Sequence, residues 1–350
     1  MEQKKPQIAV LMGGLSSEKE ISLESGRHIY NNLNREKYGV TPVFMDDEAK
    51  LWEIKENLVW MNTTKDITNA LKKGGKRLFY EDLKKFDFVF LGLHGKYVED
   101  GCLQGLLEIL DVPYNGPGIL GSALGMNKYM QRKFLTTTGL NVPKHELIKE
   151  NEWKKKSSEV LKRVKEYIGY PCIVKPTREG CSTALAKVEN DYEIKKAIQD
   201  ALRWDTEVLA EEDLSSGIEV TTTILGNGEP YALLPTETPK KGDFLTVEEK
   251  FLPGDAQMIT PPHLPKKDIQ TIQEECVKAY KALGLKVYTR IDGFWKDKKL
   301  YILEPNTLPG VTPSTCVFHQ AAEAGLNATQ FFDKVISLSL EAHHSKIGPL

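Results

Sequence analysis

The five cysteines of this 350-residue chain include no Cys-x-x-Cys pair. Scattered single thiols argue against a disulfide framework or a zinc site, and the expected compartment is a reducing cytoplasm. Long apolar runs are missing too. The opening stretch, MEQKKPQIAVLMGG, is too short in apolar residues for a signal peptide or a membrane span. Net charge is close to absent, at −2, so no electrostatic pull towards nucleic acid is expected. The seven histidines show no metal-ligand spacing, and no Gly-x-Ser-x-Gly elbow occurs. Internal repeats and low-complexity tracts are absent. What is present is ordinary for a soluble globular protein: 40% apolar and 27% charged residues. The length suggests two or three domains rather than one small core.

The first part of the chain alternates strands and helices. QIAVLMGG reads as a buried strand running into a glycine turn, and SSEKEISLESGRHIYNNL as the helix after it. Ser17 and Glu20 fit a capping box at its start. FDFVFLGLHG is a second buried strand ending in a glycine loop, LQGLLEIL is helical, and VPYNGPG is a short strand and turn. This order implies an open, mostly parallel sheet. Residues 45–85 read as a peripheral insertion. From about residue 129 the pattern becomes α+β, with a Gly-Asn-Gly hairpin in 218–234, a helix over 266–285 and a second hairpin ending in EPNTLPG. The expected units are residues 1–128, 129–211 and 212–350.

The second hairpin carries the sharpest chemistry. Asp292 lies on one strand, and Glu304 and Asn306, two apart on the other, share a face. Two carboxylates and an amide oxygen suit Mg²⁺ that also binds substrate phosphates; a surface hairpin of alternating charge is the plainer reading. Arg290 shares the face of Asp292 and suits a phosphate or a developing oxyanion. Lys128 in GMNK and Lys175 in IVKP can address phosphates, and the REGCST loop after Lys175 can offer backbone N–H groups. Gly116, Gly118 and Gly121 spell G-x-G-x-x-G, but after a whole βαβ unit and with Pro117 inside. A dinucleotide site needs that pattern in the first strand-to-helix turn. His94 is either a satisfied loop residue or a substrate-site group. Cys181 as a nucleophile would need a base and a lowered pKa, and the sequence shows neither.

Taken in order, VLMGGLSSEKEISLESG, LHGKYVEDGCLQGLLE, PYNGPGILGSALGMNK, IVKPTREGCS, EEDLSSGIEVT, VEEKF, RIDGF and EPNTLPGVTPST resemble the D-alanine:D-alanine ligase family of the ATP-grasp superfamily. The resemblance implies a three-domain ATP-grasp fold with an N-terminal open parallel-sheet domain, holding ATP between the central and C-terminal domains. It places Lys128 and Lys175 on ATP phosphates, Glu212 and the backbone of Asp213 to Ser215 at the adenine, and Glu219 at the ribose. Lys250 would reach the γ-phosphate from a closing loop. Asp292, Glu304 and Asn306 would hold two Mg²⁺ ions, with Mn²⁺ as an alternative. It also implies that one D-alanine forms a D-alanyl phosphate, which the amine of the second attacks, for peptidoglycan precursor synthesis and cell shape. Glu18 would bind the first ammonium, with His94 nearby. Arg290 and the Gly310 N–H would stabilise the oxyanion, and Ser314 and Thr315 lie where the second carboxylate binds. Small amino acids are the implied partners, without nucleic acid or membrane, in a cytoplasmic protein that the family suggests is a homodimer.

The chain departs from the family pattern at named places. Cys181-Ser182 stands where Ser-Ser is usual, Ser182 retaining the hydroxyl of the pair. Phe251 follows the loop lysine in place of tyrosine, and Val98 replaces a glycine in HGKYVEDG. A thiol is a weak hydrogen-bond partner and Phe is none. The alternative is therefore a related ligase with an altered second substrate, such as D-lactate, D-serine or another amino acid.

Overall fold

A computed structural model of the chain describes residues 4–180, 183–239 and 258–346. In the first sheet β1 (Gln7–Gly13), β2 (Gly39–Met45), β3 (Leu51–Glu53), β4 (Lys76–Leu78) and β5 (Phe88–Leu91) lie in the order β4-β3-β2-β1-β5. β1 runs parallel to both β2 and β5, and β3 and β4 extend the sheet antiparallel. Ile8 to Met12 of β1 are all buried, as expected of a central parallel strand covered on both faces. Helix α1 (Lys19–Asn32) packs on β1 so closely that a Cβ on Gly26 would sit 2.3 Å from Met12 Cβ.

Two local expectations give way here. Ser17 and Glu20 form no capping box: Glu18 is the N-cap residue of α1 and makes no side-chain cap bond. Glu20 instead accepts from the Thr64 N–H at 3.1 Å and from its hydroxyl at 2.5 Å. Thr64 opens helix α3 (Thr64–Leu71), which follows the short α2 (Glu56–Val59). The carboxylate thus serves the donor-rich N-terminus of another helix. Residues 45–85 are no insertion either. They supply β3 and β4 and bury Leu51, Ile54, Val59, Ile67, Leu71, Leu78 and Leu83 in the N-terminal core.

Helices α4 (Cys102–Ile109), α5 (Gly118–Met126) and α6 (Lys128–Thr137) lead to the second sheet. There β6 (His145–Lys149), β7 (Cys172–Pro176), β8 (Ala186–Val188) and β9 (Glu207–Glu212) lie antiparallel in the order β6-β9-β7-β8. Helices α7 (Glu150–Tyr167) and α8 (Asp191–Ala201) cover it and share its core. The third sheet holds β10 (Ile218–Leu225), β11 (Tyr231–Ala232), β12 (Thr236–Glu237), β13 (Tyr288–Lys296) and β14 (Lys299–Asn306), backed by α9 (Lys266–Ala282). Both expected hairpins form, as β10–β11 and β13–β14. Helices α10 (Cys316–Glu323) and α11 (Ala328–His344) end the described chain.

The cores do not follow the chain in order. Leu135, at the end of α6, and Leu140 join the third core. Phe331 and Phe332 of α11 return to the N-terminal core, where Phe332 meets Phe90 edge-on at 5.6 Å. Chain from both ends of the sequence therefore builds one unit. The G-x-G-x-x-G glycines serve packing: a Cβ on Gly116 would lie 2.9 Å from Leu308 Cδ2, and one on Gly121 2.9 Å from Pro117 Cβ. Among the described residues, no helix is long and apolar enough to cross a membrane.

Candidate active site

The β13–β14 hairpin sets its chemistry by register. Asp292 pairs with Glu304 and Arg290 with Asn306, and a bulge follows Asp292. The turn at Asp297 and Lys298 has φ of +50° and +58°, the primed geometry that matches strand twist. Arg290 grips Asp292 with both arms, Nε to Oδ1 at 2.8 Å and Nη2 to Oδ2 at 2.7 Å. Asn306 Nδ2 donates to the same carboxylate at 2.9 Å and Thr221 Oγ1 at 2.5 Å. Burial alone would weaken the Arg290 charge, but Asp292 outweighs it and raises the guanidinium pKa.

One cleft lies between the second and third sheets. It is lined by Lys128, Lys175, Glu212, Asp213, Ser215, Glu219, Asp292 and Glu304 together with Glu211, Leu185 and Phe294. Lys175 lies inside the fully buried β7. Its Nζ meets Glu211 Oε1 at 2.6 Å, diagonally across the β7–β9 ladder. Burial lowers the Lys175 pKa, against the pull of Glu211. Glu211 is also paired with Arg132 of α6, whose side chain is fully buried. Burial would raise the Glu211 pKa, but Arg132 and Lys175 together lower it. Ser215 donates from N–H and hydroxyl to Asp213, at 2.8 and 3.0 Å, shaping the turn at the cleft edge.

A second cleft adjoins the N-terminal unit. Glu18, His94, Glu99, Arg290, Asn306 and Gly310 line it. His94 is buried, and burial lowers its pKa to about 4. Its Nδ1 bonds the Leu308 carbonyl at 3.0 Å and its Nε2 meets Ser25 Oγ at 2.8 Å. Burial and the nearby Glu18 raise Glu99 to about 8. A Cβ on Gly180 would lie 2.4 Å from Glu18 Oε1. The loop after Lys175 thus lies against the carboxylate end of the Glu18 side chain, which a Cβ at Gly180 would displace. Val98, where the resemblance expects glycine, is buried in the N-terminal core.

Lys128, Glu179, Gly180 and Glu304 line both clefts. Lys128 opens α6, fixed by the Asn127 cap, and its Nζ lies 3.0 Å from Glu304 Oε2 and 2.6 Å from the Glu179 carbonyl. The expected sites thus gather around one junction, with exceptions. Thr315 is buried, and its hydroxyl donates to Thr312 O at 2.9 Å. Neither it nor the half-buried Ser314 lines either cleft. Cys181, Ser182, Lys250 and Phe251 lie outside the described residues. Sequence reasoning missed Arg132, Glu99 and Glu211. Glu99 stands inside HGKYVEDG, a visible signal; Arg132 and Glu211 look like ordinary helix and strand charges until the fold joins them.

Comparison with known proteins agrees. The family described as D-ala D-ala ligase N-terminus matches residues 7–117, and D-ala D-ala ligase C-terminus matches residues 134–337. The chain is 36% identical over 340 residues to the D-alanine--D-alanine ligase of Carboxydothermus hydrogenoformans, covering 95% of this chain and 98% of that one. It is 32% identical over 356 residues to that of Geobacillus thermodenitrificans, covering 98% and 97%. Among solved structures, VanG D-Ala:D-Ser ligase from Enterococcus faecalis superposes with a TM-score of 0.83 at 29% identity, over 96% of this chain and 100% of that one. D-alanine--D-alanine ligase from Bacillus anthracis complexed with ATP gives 0.73 at 28% identity, over 97% and 99%. With this fold and these two joined clefts, the chain belongs to the D-alanine:D-alanine ligase family and has its ATP-grasp fold.

Proposed function

We propose that this ATP-dependent ligase joins two D-alanines through a D-alanyl phosphate, supplying a peptidoglycan precursor in the cytoplasm, and that it works as a homodimer. The observation that carries this reading is the junction of the two clefts at Lys128, Glu179, Gly180 and Glu304. One cleft is lined by Ile173, Leu185, Leu214 and Phe294 together with Lys128 and Lys175; it takes the nucleotide. Lys128, Lys175 and Lys250 bind its phosphates, and Glu212, the Asp213–Ser215 turn and Glu219 hold its nucleoside. The other cleft takes amino acids. Glu18 receives the first ammonium beside His94, and Ser182 is assigned to the same substrate. The first carboxylate then faces the γ-phosphate at the junction, where fixed lysines offset the charge that develops. Arg290 and the Gly310 N–H face the carbonyl that the second amine attacks.

Asp292, Glu304 and Asn306 would hold the Mg²⁺ ions, or Mn²⁺ in their place. Their chemistry fits: two carboxylates and an amide oxygen form the hard, incomplete donor set that Mg²⁺ uses when phosphates complete its shell. Asn306 spends its nitrogen on Asp292, leaving its oxygen as the ligand atom. Asp292 accepts four hydrogen bonds, from Arg290 twice, Asn306 and Thr221. These fill its acceptor sites, so one donor must turn away for a cation to bind. When bound, the metal neutralises phosphate charge.

ADP release with D-alanine, and a D-alanyl-D-alanine product by mass, tests the reading. No ADP release with any D-alanine-containing pair removes it. A second reading keeps the chemistry and changes the acceptor to D-serine, D-lactate or another amino acid. The close superposition on a D-Ala:D-Ser ligase and the Cys181 and Phe251 departures favour it over unrelated activities. At Thr315 both the hydroxyl and the N–H donate to Thr312 O, so second-substrate binding there requires one of them to turn away.

A further inference from the structure

The loop Leu308–Val311 carries the Gly310 N–H, and four side chains of the N-terminal unit hold its ends. Leu308 N–H donates to Glu99 Oε1 at 3.3 Å, and Leu308 O accepts from His94 Nδ1 at 3.0 Å. Val311 N–H reaches Ser25 Oγ at 3.4 Å, and Val311 O accepts from His28 Nδ1 at 2.7 Å. A carbonyl only accepts, so both histidines carry their proton on Nδ1. His94 Nε2 then accepts from the Ser25 hydroxyl at 2.8 Å, and this links the two ends. Ser25 and His28 stand three apart on α1 and so share a face. Leu308 and Val311 are buried, so their backbone groups need these partners.

We infer that Ser25 and His28 are positioning residues: α1 fixes the Gly310 N–H where the oxyanion forms, acting across the N-terminal core in which Leu308 and Val311 are themselves buried. This rests on the proposed role of Gly310 in the ligase reaction. Neither residue lines the substrate cleft. Their effect is on where the donor stands, and misplacement by a fraction of an ångström is felt in the transition state.

His28 also packs edge-on against Phe318 at 4.8 Å and Phe332 at 5.8 Å. Packing and hydrogen bonding can therefore be separated. His28→Leu keeps apolar bulk and loses the donor. His28→Asn places an amide N–H near the Nδ1 position and loses the ring. For His28→Leu, which leaves the buried Val311 carbonyl without its donor, we expect a melting temperature a few degrees below the parent's, an unchanged KM for ATP, and kcat lower by roughly tenfold or more. His28→Asn should melt earlier yet return kcat to within about threefold of the parent. Parental kcat in His28→Leu, or a loss that His28→Asn does not relieve, overturns the proposal. Gly310→Pro, which deletes the N–H, separates the two levels. Full ligation in Gly310→Pro overturns the oxyanion reading and this proposal with it. Lost ligation in Gly310→Pro beside an unaffected His28→Leu overturns the positioning role alone.

Discussion

Arg132→Met tests the electrostatics beneath the nucleotide cleft. Arg132 is wholly buried and pairs with Glu211, which also holds Lys175 at 2.6 Å. The substitution keeps most of the volume and leaves Glu211 with one cation in place of two. Removing one member of a buried ion pair costs about 3–5 kcal/mol, because the survivor stays desolvated. Lys175 remains, so the lower end, about 3 kcal/mol, is expected. Against a typical stability of about 5–15 kcal/mol this is a large loss. Denaturant titration at neutral pH measures it. Replacing Glu211 as well, in Arg132→Met/Glu211→Gln, leaves buried Lys175 without its carboxylate, so the double variant should be less stable than the single. In the single variant Glu211 also competes harder for Lys175, so KM for ATP should rise. A loss under about 1 kcal/mol, or a double variant as stable as the single or more so, would show that the triad is not the coupled unit described.

Further outcomes follow from named contacts. Glu99 is raised to about 8, so the folded state holds its proton above the unfolded pKa. Its contribution is complete below about pH 4.5 and fades as pH rises through 8; Glu99→Gln should gain stability relative to the parent between pH 5 and 8, and a flat difference denies the shift. His94, lowered to about 4, acts in the opposite sense. It stabilises above about pH 6.5 and loses this as pH falls towards 4, by about 3 kcal/mol in all, so His94→Gln should flatten the acid limb of a denaturation series. Glu304→Ala should abolish Mg²⁺-dependent turnover with circular dichroism unchanged; retained turnover refutes the metal assignment. Gly180→Ala would press a methyl onto Glu18, and KM for the first amino acid should rise well before KM for ATP; equal rises contradict the contact. Cys181→Ser with Phe251→Tyr should shift preference from a hydroxy-acid acceptor towards an amine, read as a ratio of kcat/KM values.

The strands that carry the site were legible because their patterns are strong. QIAVLMG and FVFL are continuous apolar runs, and the Asp292–Glu304–Asn306 face follows from the two-residue period of a strand. The edge of the first sheet was not legible: β3 and β4 are three residues each, too short to show a period. The Ser17–Glu20 capping box failed because a tertiary partner, Thr64, offers Glu20 better donors than its own helix start. Arg132 and Glu211 were hidden for a related reason. On α6 an arginine reads as a solvated face, and only the fold buries it against β9. His28 and Val311 are further apart still, 283 residues, and local pattern carries no signal of that kind.

In the proposed reaction the first carboxylate attacks the γ-phosphate where the two clefts join at Lys128 and Glu304. D-alanine labelled with ¹⁸O in both carboxylate oxygens tests it directly. An acyl phosphate leaves one labelled oxygen on the departing phosphate and one in the new amide. The account predicts one ¹⁸O per inorganic phosphate at every turnover, detected by mass spectrometry. Phosphate without label, alongside labelled peptide product, would contradict it.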